Sequence, residues 1–245
     1  MYSVNNLSFK YSKKCQTYTL HHINFQLKTG KLNVLLGENG SGKTTIMDCM
    51  TDILEAKHHN QLPKTNEMVY LTQNMMLSPH TTGADIQKLV KGMASKHEVA
   101  SFDNNITTFI NDSKSVKEKY HHLLNMTSGK MSIGERRWFY ILLFAALDRK
   151  LYILDEPTSS IDPRARKMIL SRLLELCKSK TVLISTHQLQ DLPIDLTNII
   201  FINNGEKLYE GAYDEWLKQM ETENPDIAFE RTIHRYEISR NDKDE

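Results

Sequence analysis

The sequence predicts an α/β fold built on a parallel sheet, and three observations carry that expectation. Short apolar runs alternate with amphipathic, helix-forming stretches, the pattern of a parallel core flanked by helices. A glycine-rich loop at 37–44 separates a buried-strand pattern from a helix pattern. Two segments near the start, Val4–Phe9 and Leu20–Leu27, are rich in β-formers with partial alternation and predict a small antiparallel sheet.

Each element follows in order. After a turn at Gly30, Lys31–Leu36 gives Leu32, Val34, Leu35 and Leu36 to a buried strand. The loop then leads into a helix from Thr44 to about Leu54, and Met68–Leu71 is a further short strand. Residues from about Ala84 to Leu124 are helical in character, polar and poor in strong punctuation, which predicts an inserted helical subdomain. Ser132 opens a long helix reaching about Asp148, with Glu135 three residues on completing a capping-box pattern. Leu151–Leu154 reads as a buried strand, Pro163–Lys178 as an amphipathic helix and Thr181–Ser185 as another strand. Ile199–Ile202 and Glu206–Tyr209, joined at Asn203-Asn204-Gly205, read as a terminal hairpin. Ala212–Met220 is helical in pattern, and Asn241–Glu245 reads as a solvated tail. The plan is a single domain over 1–245: a core from 1–83 and 150–221, a helical part at 84–149, and a C-terminal extension at 222–245.

Composition sets the outer limits. The 245 residues suit one large domain, and 40 % hydrophobic content is enough for a proper core. Lys and Arg total 31 against 30 Asp and Glu, a balance that argues against broad binding to nucleic acid or an anionic membrane surface. Cys15, Cys49 and Cys177 match no metal-ligand spacing and read as idle thiols of a reducing compartment. The longest apolar run, Trp138–Leu147, is half of the roughly 20 residues that a membrane-spanning helix needs, so it is expected to be a core helix.

Gly37-Glu38-Asn39-Gly40-Ser41-Gly42-Lys43-Thr44 fully matches G-x-x-x-x-G-K-[ST], the phosphate-loop (P-loop) pattern. Glycines let successive N–H groups face an anion, and the following helix start adds partial positive charge. Lys43 can reach the β- and γ-phosphates, and the Thr44 hydroxyl can ligate Mg²⁺. The neighbouring Thr45 is expected to share in nucleotide binding. This pattern alone serves GTPases, kinases and helicases as well.

Other segments narrow the choice. Leu151-Tyr152-Ile153-Leu154-Asp155-Glu156 is an apolar strand ending in two acids, which by itself is also an ordinary strand and acidic turn. Pro157-Thr158-Ser159-Ser160-Ile161-Asp162 follows at once. Met131-Ser132-Ile133-Gly134-Glu135 lies upstream, Gln73 follows the Met68–Leu71 strand, His187 follows the Thr181–Ser185 strand, and Tyr11 follows the first strand. In that order, over roughly residues 2–212, these parts resemble the ATP-binding cassette proteins. Met131–Glu135 resembles their Leu-Ser-Gly-Gly-Gln signature.

The resemblance implies a P-loop NTPase core and a set of roles. ATP and Mg²⁺ would be the ligands, with Gly37–Thr45 cradling phosphates and Tyr11 stacking on adenine. Thr44, Gln73 and Asp155 would serve the metal, Glu156 would act on the attacking water, and His187 would hold the γ-phosphate. Two cassettes would pair head to tail, so that Ser132 and Gly134 of one face the phosphates bound by the other. Transmembrane permease subunits would be the further partners, placing the chain in the cytoplasm against the inner face of the cell membrane. No sizeable C-terminal regulatory domain is visible, which favours export of a peptide or drug-like molecule over vitamin or metal import. A cassette acting on ribosomes or DNA, and an inactive regulatory cassette, are the other readings.

Three departures stand out. Ile133 and Glu135 replace the third and fifth signature residues, so the helix packing or the closed interface would change. The interval from Lys43 to Gln73 is short for the family, and His58-His59-Asn60-Gln61 is too polar to replace a missing core strand. Met75-Met76-Leu77 suits either a docking groove for a membrane partner or plain core packing.

Overall fold

In the computed structural model, residues 2–12, 18–56, 58–73, 75, 77–111 and 113–244 are described, with the side chains of 239–244 excepted. Cys15 and Met76 therefore lie outside the described residues.

Two sheets form. β1 (Tyr2–Phe9) and β2 (Leu20–Leu27) pair antiparallel. The main sheet has six strands in the order β4-β5-β6-β3-β7-β8. Its members are β3 (Leu32–Leu36), β4 (Met68–Leu71), β5 (Leu151–Leu154), β6 (Thr181–Thr186), β7 (Thr197–Asn203) and β8 (Glu206–Ala212). β4, β5, β6, β3 and β7 run parallel, and β8 closes one edge antiparallel to β7. The β7–β8 turn takes positive φ at Asn204 and Gly205, as a tight hairpin turn requires. A side chain at Gly205 would run into the Thr19 carbonyl. The Gly205 N–H donates to the Ser41 carbonyl at 3.0 Å, so this turn braces the phosphate loop.

Both faces of the main sheet are covered, which is why its inner strands are apolar on successive residues. Leu32, Val34 and Leu36 join one cluster with Phe139, Leu173 and Trp216, while Leu35 joins another with Leu7, Ile23, Phe25 and Ile46. The two clusters thus take alternate residues of one strand. The segment at 59–61 lies along β1 through backbone bonds between Gln61 and Ser3 and between His59 and Asn5. Polar side chains suit that edge position.

Eight α-helices stand among the described residues. α1 (Lys43–Met50) is shorter than expected, because Thr51 caps it by donating to the Met47 carbonyl and Asp52 turns left-handed. The 84–124 region is not poor in punctuation. It holds α2 (Gly83–Gly92), α3 (Lys96–Ile110) and α4 (Lys114–Asn125), capped by Thr82, Ser95 and Ser113. Ile86, Phe102, Ile106, Tyr120 and Leu123 pack into the same cluster as the sheet.

α5 (Ile133–Ala145) opens on the Ser132 capping box, with reciprocal bonds between Ser132 and Glu135. Every residue from Trp138 to Leu147 is buried, as a core helix demands. α6 (Pro163–Cys177) is capped by Asp162, and α7 is Tyr213–Gln219.

The chain ends in a helix the sequence pattern did not predict, α8, which spans Pro225–Asp244 and takes in most of the expected tail. It is anchored by buried Ala228, by Phe229 against Phe201 at 4.9 Å, and by the Trp216 indole donating to the Thr232 hydroxyl. Cys49 and Cys177 are free and buried, and burial pushes each thiol up to about 12. Among the described residues no helix is long and apolar enough to cross a membrane.

Candidate functional site

Parallel register sets the site. Leu36 aligns with Thr186, Leu154 with Ile184, and Leu71 with Leu154, so β3, β4, β5 and β6 end at one edge. The chain beyond each end carries Gly37, Gln73, Asp155 and His187 respectively. Ligand sites of parallel sheets gather at this carboxyl edge. Here a cavity of about 420 Å³ is lined by Gly40, Lys43, Thr44, Gln73, Glu156 and His187, among others.

The phosphate loop organises itself locally. Gly42, at φ 104°, provides the left-handed residue that turns the loop into α1. No side chain caps this helix, which leaves its leading N–H groups available to an anion. Lys43 is 7 % exposed, and its ammonium donates to the Gly37 and Glu38 carbonyls, both at 2.8 Å. Burial lowers the Lys43 pKa, and the charges of Glu156, Asp155 and Glu38 oppose that shift.

Across the cavity, Asp155 and Glu156 are both buried. The Thr44 hydroxyl donates to Asp155 Oδ2 at 2.7 Å, and the Ser185 hydroxyl donates to Asp155 Oδ1. The Glu156 N–H donates to Ser185 Oγ at 2.7 Å, and His187 Nδ1 lies 3.0 Å from Glu156 Oε1. Glu156 itself is left-handed, with φ 48°, a costly backbone for a residue with a side chain. Sequence reasoning missed Ser185, whose single hydroxyl bridges the two acids; a serine at the end of a buried strand beside them was the available signal.

It also missed Arg137. This α5 side chain donates to the carbonyls of Glu156 at 2.8 Å, Ser159 at 2.7 Å and Gln73 at 3.1 Å. Burial lowers its pKa while Glu156 and Asp155 raise it. A second basic residue beside the signature is its one trace in the sequence.

The remaining expected residues divide. Tyr11 lines the cavity, 65 % exposed, with its hydroxyl 3.0 Å from Thr45 Oγ1. Asn39, Gly40, Gly42 and Thr45 line it too, whereas Glu38 faces an adjoining cavity shared by His187 and α8. Ser132 and Gly134 do not line the phosphate cavity of their own chain. A side chain at Gly134 would come into ordinary van der Waals contact with Ala165 and Asp162 at the start of α6. Ile133 is 56 % exposed, so this change alters the surface and leaves the helix packing alone. It borders a groove with Gln73, Met75 and Tyr140. Met75 and Leu77 are half-buried against the main cluster.

The donor set fits a magnesium nucleotide. Ser41 Oγ and Glu156 Oε2 are buried without a hydrogen-bond partner in the chain, a cost that a bound polar ligand relieves. Thr44 and Asp155 present adjacent oxygens of the kind a hard cation takes.

Comparison with known proteins agrees. The family described as ABC transporter matches residues 20–159, more than half of the chain. The chain is 28 % identical over 224 residues to the glutathione/L-cysteine transport system ATP-binding/permease protein CydD of Bacillus subtilis, covering 86 % of this chain and 38 % of that protein. This chain therefore spans well under half the length of that relative. It is 27 % identical over 243 residues to the energy-coupling factor transporter ATP-binding protein EcfA1 of Thermotoga maritima, covering 93 % and 87 % of the two chains. Its fold is similar to a solved ATP-binding subunit of an ABC transporter, with a TM-score of 0.78 at 20 % identity, covering 95 % of this chain and 99 % of that one. On the family match, and with this edge of the sheet behind it, the chain belongs to the ABC transporter family as one of its nucleotide-binding domains.

Proposed function

We propose that the chain is the ATP-hydrolysing motor subunit of an ABC transporter. ATP draws it into a head-to-tail pair with a second cassette, in the simplest case another copy of itself. The pair then drives separate transmembrane permease subunits from the cytoplasmic face of the membrane. The observation that carries this reading is the convergence of the phosphate loop, Gln73, Asp155, Glu156 and His187 on one cavity.

The geometry supports the following roles. The phosphate loop and Lys43 bind the triphosphate through backbone N–H groups and one ammonium. Thr44 Oγ1 and Asp155 would hold Mg²⁺ with help from Gln73, and the ion would neutralise charge on the phosphates. Glu156 takes a proton from the attacking water, its free Oε2 being the atom available for that task. His187 fixes the other carboxylate oxygen and lines the same cavity. Tyr11, exposed beside Thr45, serves the nucleoside end. Ser132, Gly134 and the exposed Ile133 complete the neighbouring subunit's site, which accounts for their position away from their own phosphate loop. The groove at Met75 is a seat for the membrane partner. The expected preference for export is not carried further, because named relatives include free-standing energy-coupling factor ATP-binding proteins as well as a permease fusion.

The test is Glu156→Gln. Turnover should fall on the order of a thousandfold, with ATP binding retained. Wild-type steady-state hydrolysis in that variant would refute the base.

A further inference from the structure

We infer that Arg137 is a positioning residue for hydrolysis: it holds the backbone of Glu156 and ties the signature helix and the Gln73 loop to the base. The inference rests on the proposed role of Glu156.

A guanidinium offers five N–H donors in a rigid planar fork. Arg137 turns this fork on three carbonyls. Nη1 donates to Glu156 and Ser159, and Nη2 donates to Gln73. These acceptors sit on the loop after β5 and the loop after β4, while Arg137 itself sits on the helix that Ser132 caps. One side chain thereby joins three segments that carry separate parts of the chemistry.

The grip falls where the backbone needs it. Glu156 and Ser160 are both left-handed, at φ 48° and 58°, and neither is glycine. Such residues persist when their surroundings over-determine them. At Glu156 the N–H is held by Ser185 and the C=O by Arg137, so both flanking peptides are fixed. The direction of the carboxylate follows from that backbone. Among the described residues Arg137 makes no ion pair with a carboxylate, so its charge serves the carbonyls and leaves Glu156 Oε2 unpaired. A single ammonium cannot span the same three acceptors in fixed geometry. Loosening this clamp displaces the base by a fraction of its own length, and small misplacements of reacting groups are costly.

The experiment compares Arg137→Ala and Arg137→Lys with wild type and with Glu156→Gln, measuring kcat, nucleotide affinity with a fluorescent ATP analogue, and Tm. Arg137→Ala should lose about 100-fold in kcat with nucleotide affinity unchanged, Arg137→Lys should recover part of that loss, and added guanidinium ion should raise the kcat of the alanine variant. If Arg137→Ala does not fold, Arg137→Lys carries the test, with lowered kcat at unchanged affinity expected. Wild-type kcat in either folded variant overturns the inference. So does a parallel fall in kcat, affinity and Tm without guanidinium recovery, which marks a purely structural residue. Glu156→Gln separates the two failures. Normal turnover there overturns the base assignment, whereas slow Glu156→Gln beside fast Arg137→Ala overturns the positioning role alone.

Discussion

The phosphate loop and the Glu156 loop face each other across one cavity, yet they are held in place differently. The phosphate loop has bonds of its own, from Lys43 to the carbonyls of Gly37 and Glu38, six and five positions back, besides the brace from Gly205 and the Thr44–Asp155 bond. The Glu156 loop is held from afar. Ser185 lies 29 residues away, His187 31 and Arg137 19, and the Gln73 carbonyl that completes the Arg137 clamp is 64 residues from it. The difference teaches that the binding half of this site is a local motif, whereas the hydrolytic half is a product of the tertiary fold.

Two substitutions break that comparison where it is strongest. Lys43→Ala removes the one ammonium of the local half and should weaken ATP binding roughly 10- to 100-fold, the range of a lost charge-assisted hydrogen bond. Equilibrium titration checks this, and unchanged affinity would remove the loop from the account. Ser185→Ala acts on the distant half. It strips the Glu156 N–H and Asp155 Oδ1 of a fully buried partner, so stability should fall by about 1–3 kcal/mol. Thermal melts read this as a drop of roughly 2–4 °C per kcal/mol in a chain of this size. ATP affinity should change less than in Lys43→Ala. A Ser185→Ala protein with wild-type Tm would mean that the hydroxyl bridge contributes nothing.

The same contrast explains what the sequence discloses. The eight residues from Gly37 to Thr44 carry their geometry in their order, and each strand of the main sheet except β4 and β8 is buried throughout and carries an apolar stretch. Asp155 and His187 are legible because each follows such a strand, and Gln73 because it follows the short apolar strand β4. Arg137 is not, since backbone carbonyls accept from any donor and leave no residue type to search for. α8 is hard to read because its apolar residues form no concentrated face and its buried anchors, such as Ala228 and Thr232, are few. The helices at 83–125 are a different case. Thr82-Gly83-Ala84-Asp85 and Ser95-Lys96-His97-Glu98 spell capping boxes, and both form. That punctuation was present and was masked by the polar residues around it.

Ile133 joins the two halves to a third surface. A glycine there would present only backbone, whereas the isoleucine projects outward beside Ser132 and the Gln73 groove. Any second cassette that closes on this face must accommodate it.

The central claim is that one chain holds half of a shared site. It is tested most directly by the molar mass, by light scattering, of Glu156→Gln with ATP and Mg²⁺, with and without Ser132→Arg. The account predicts an ATP-dependent dimer for the single variant. It predicts a monomer that still binds ATP when Ser132→Arg is added. A dimer that survives Ser132→Arg, or a double variant that no longer binds ATP as a monomer, would contradict it.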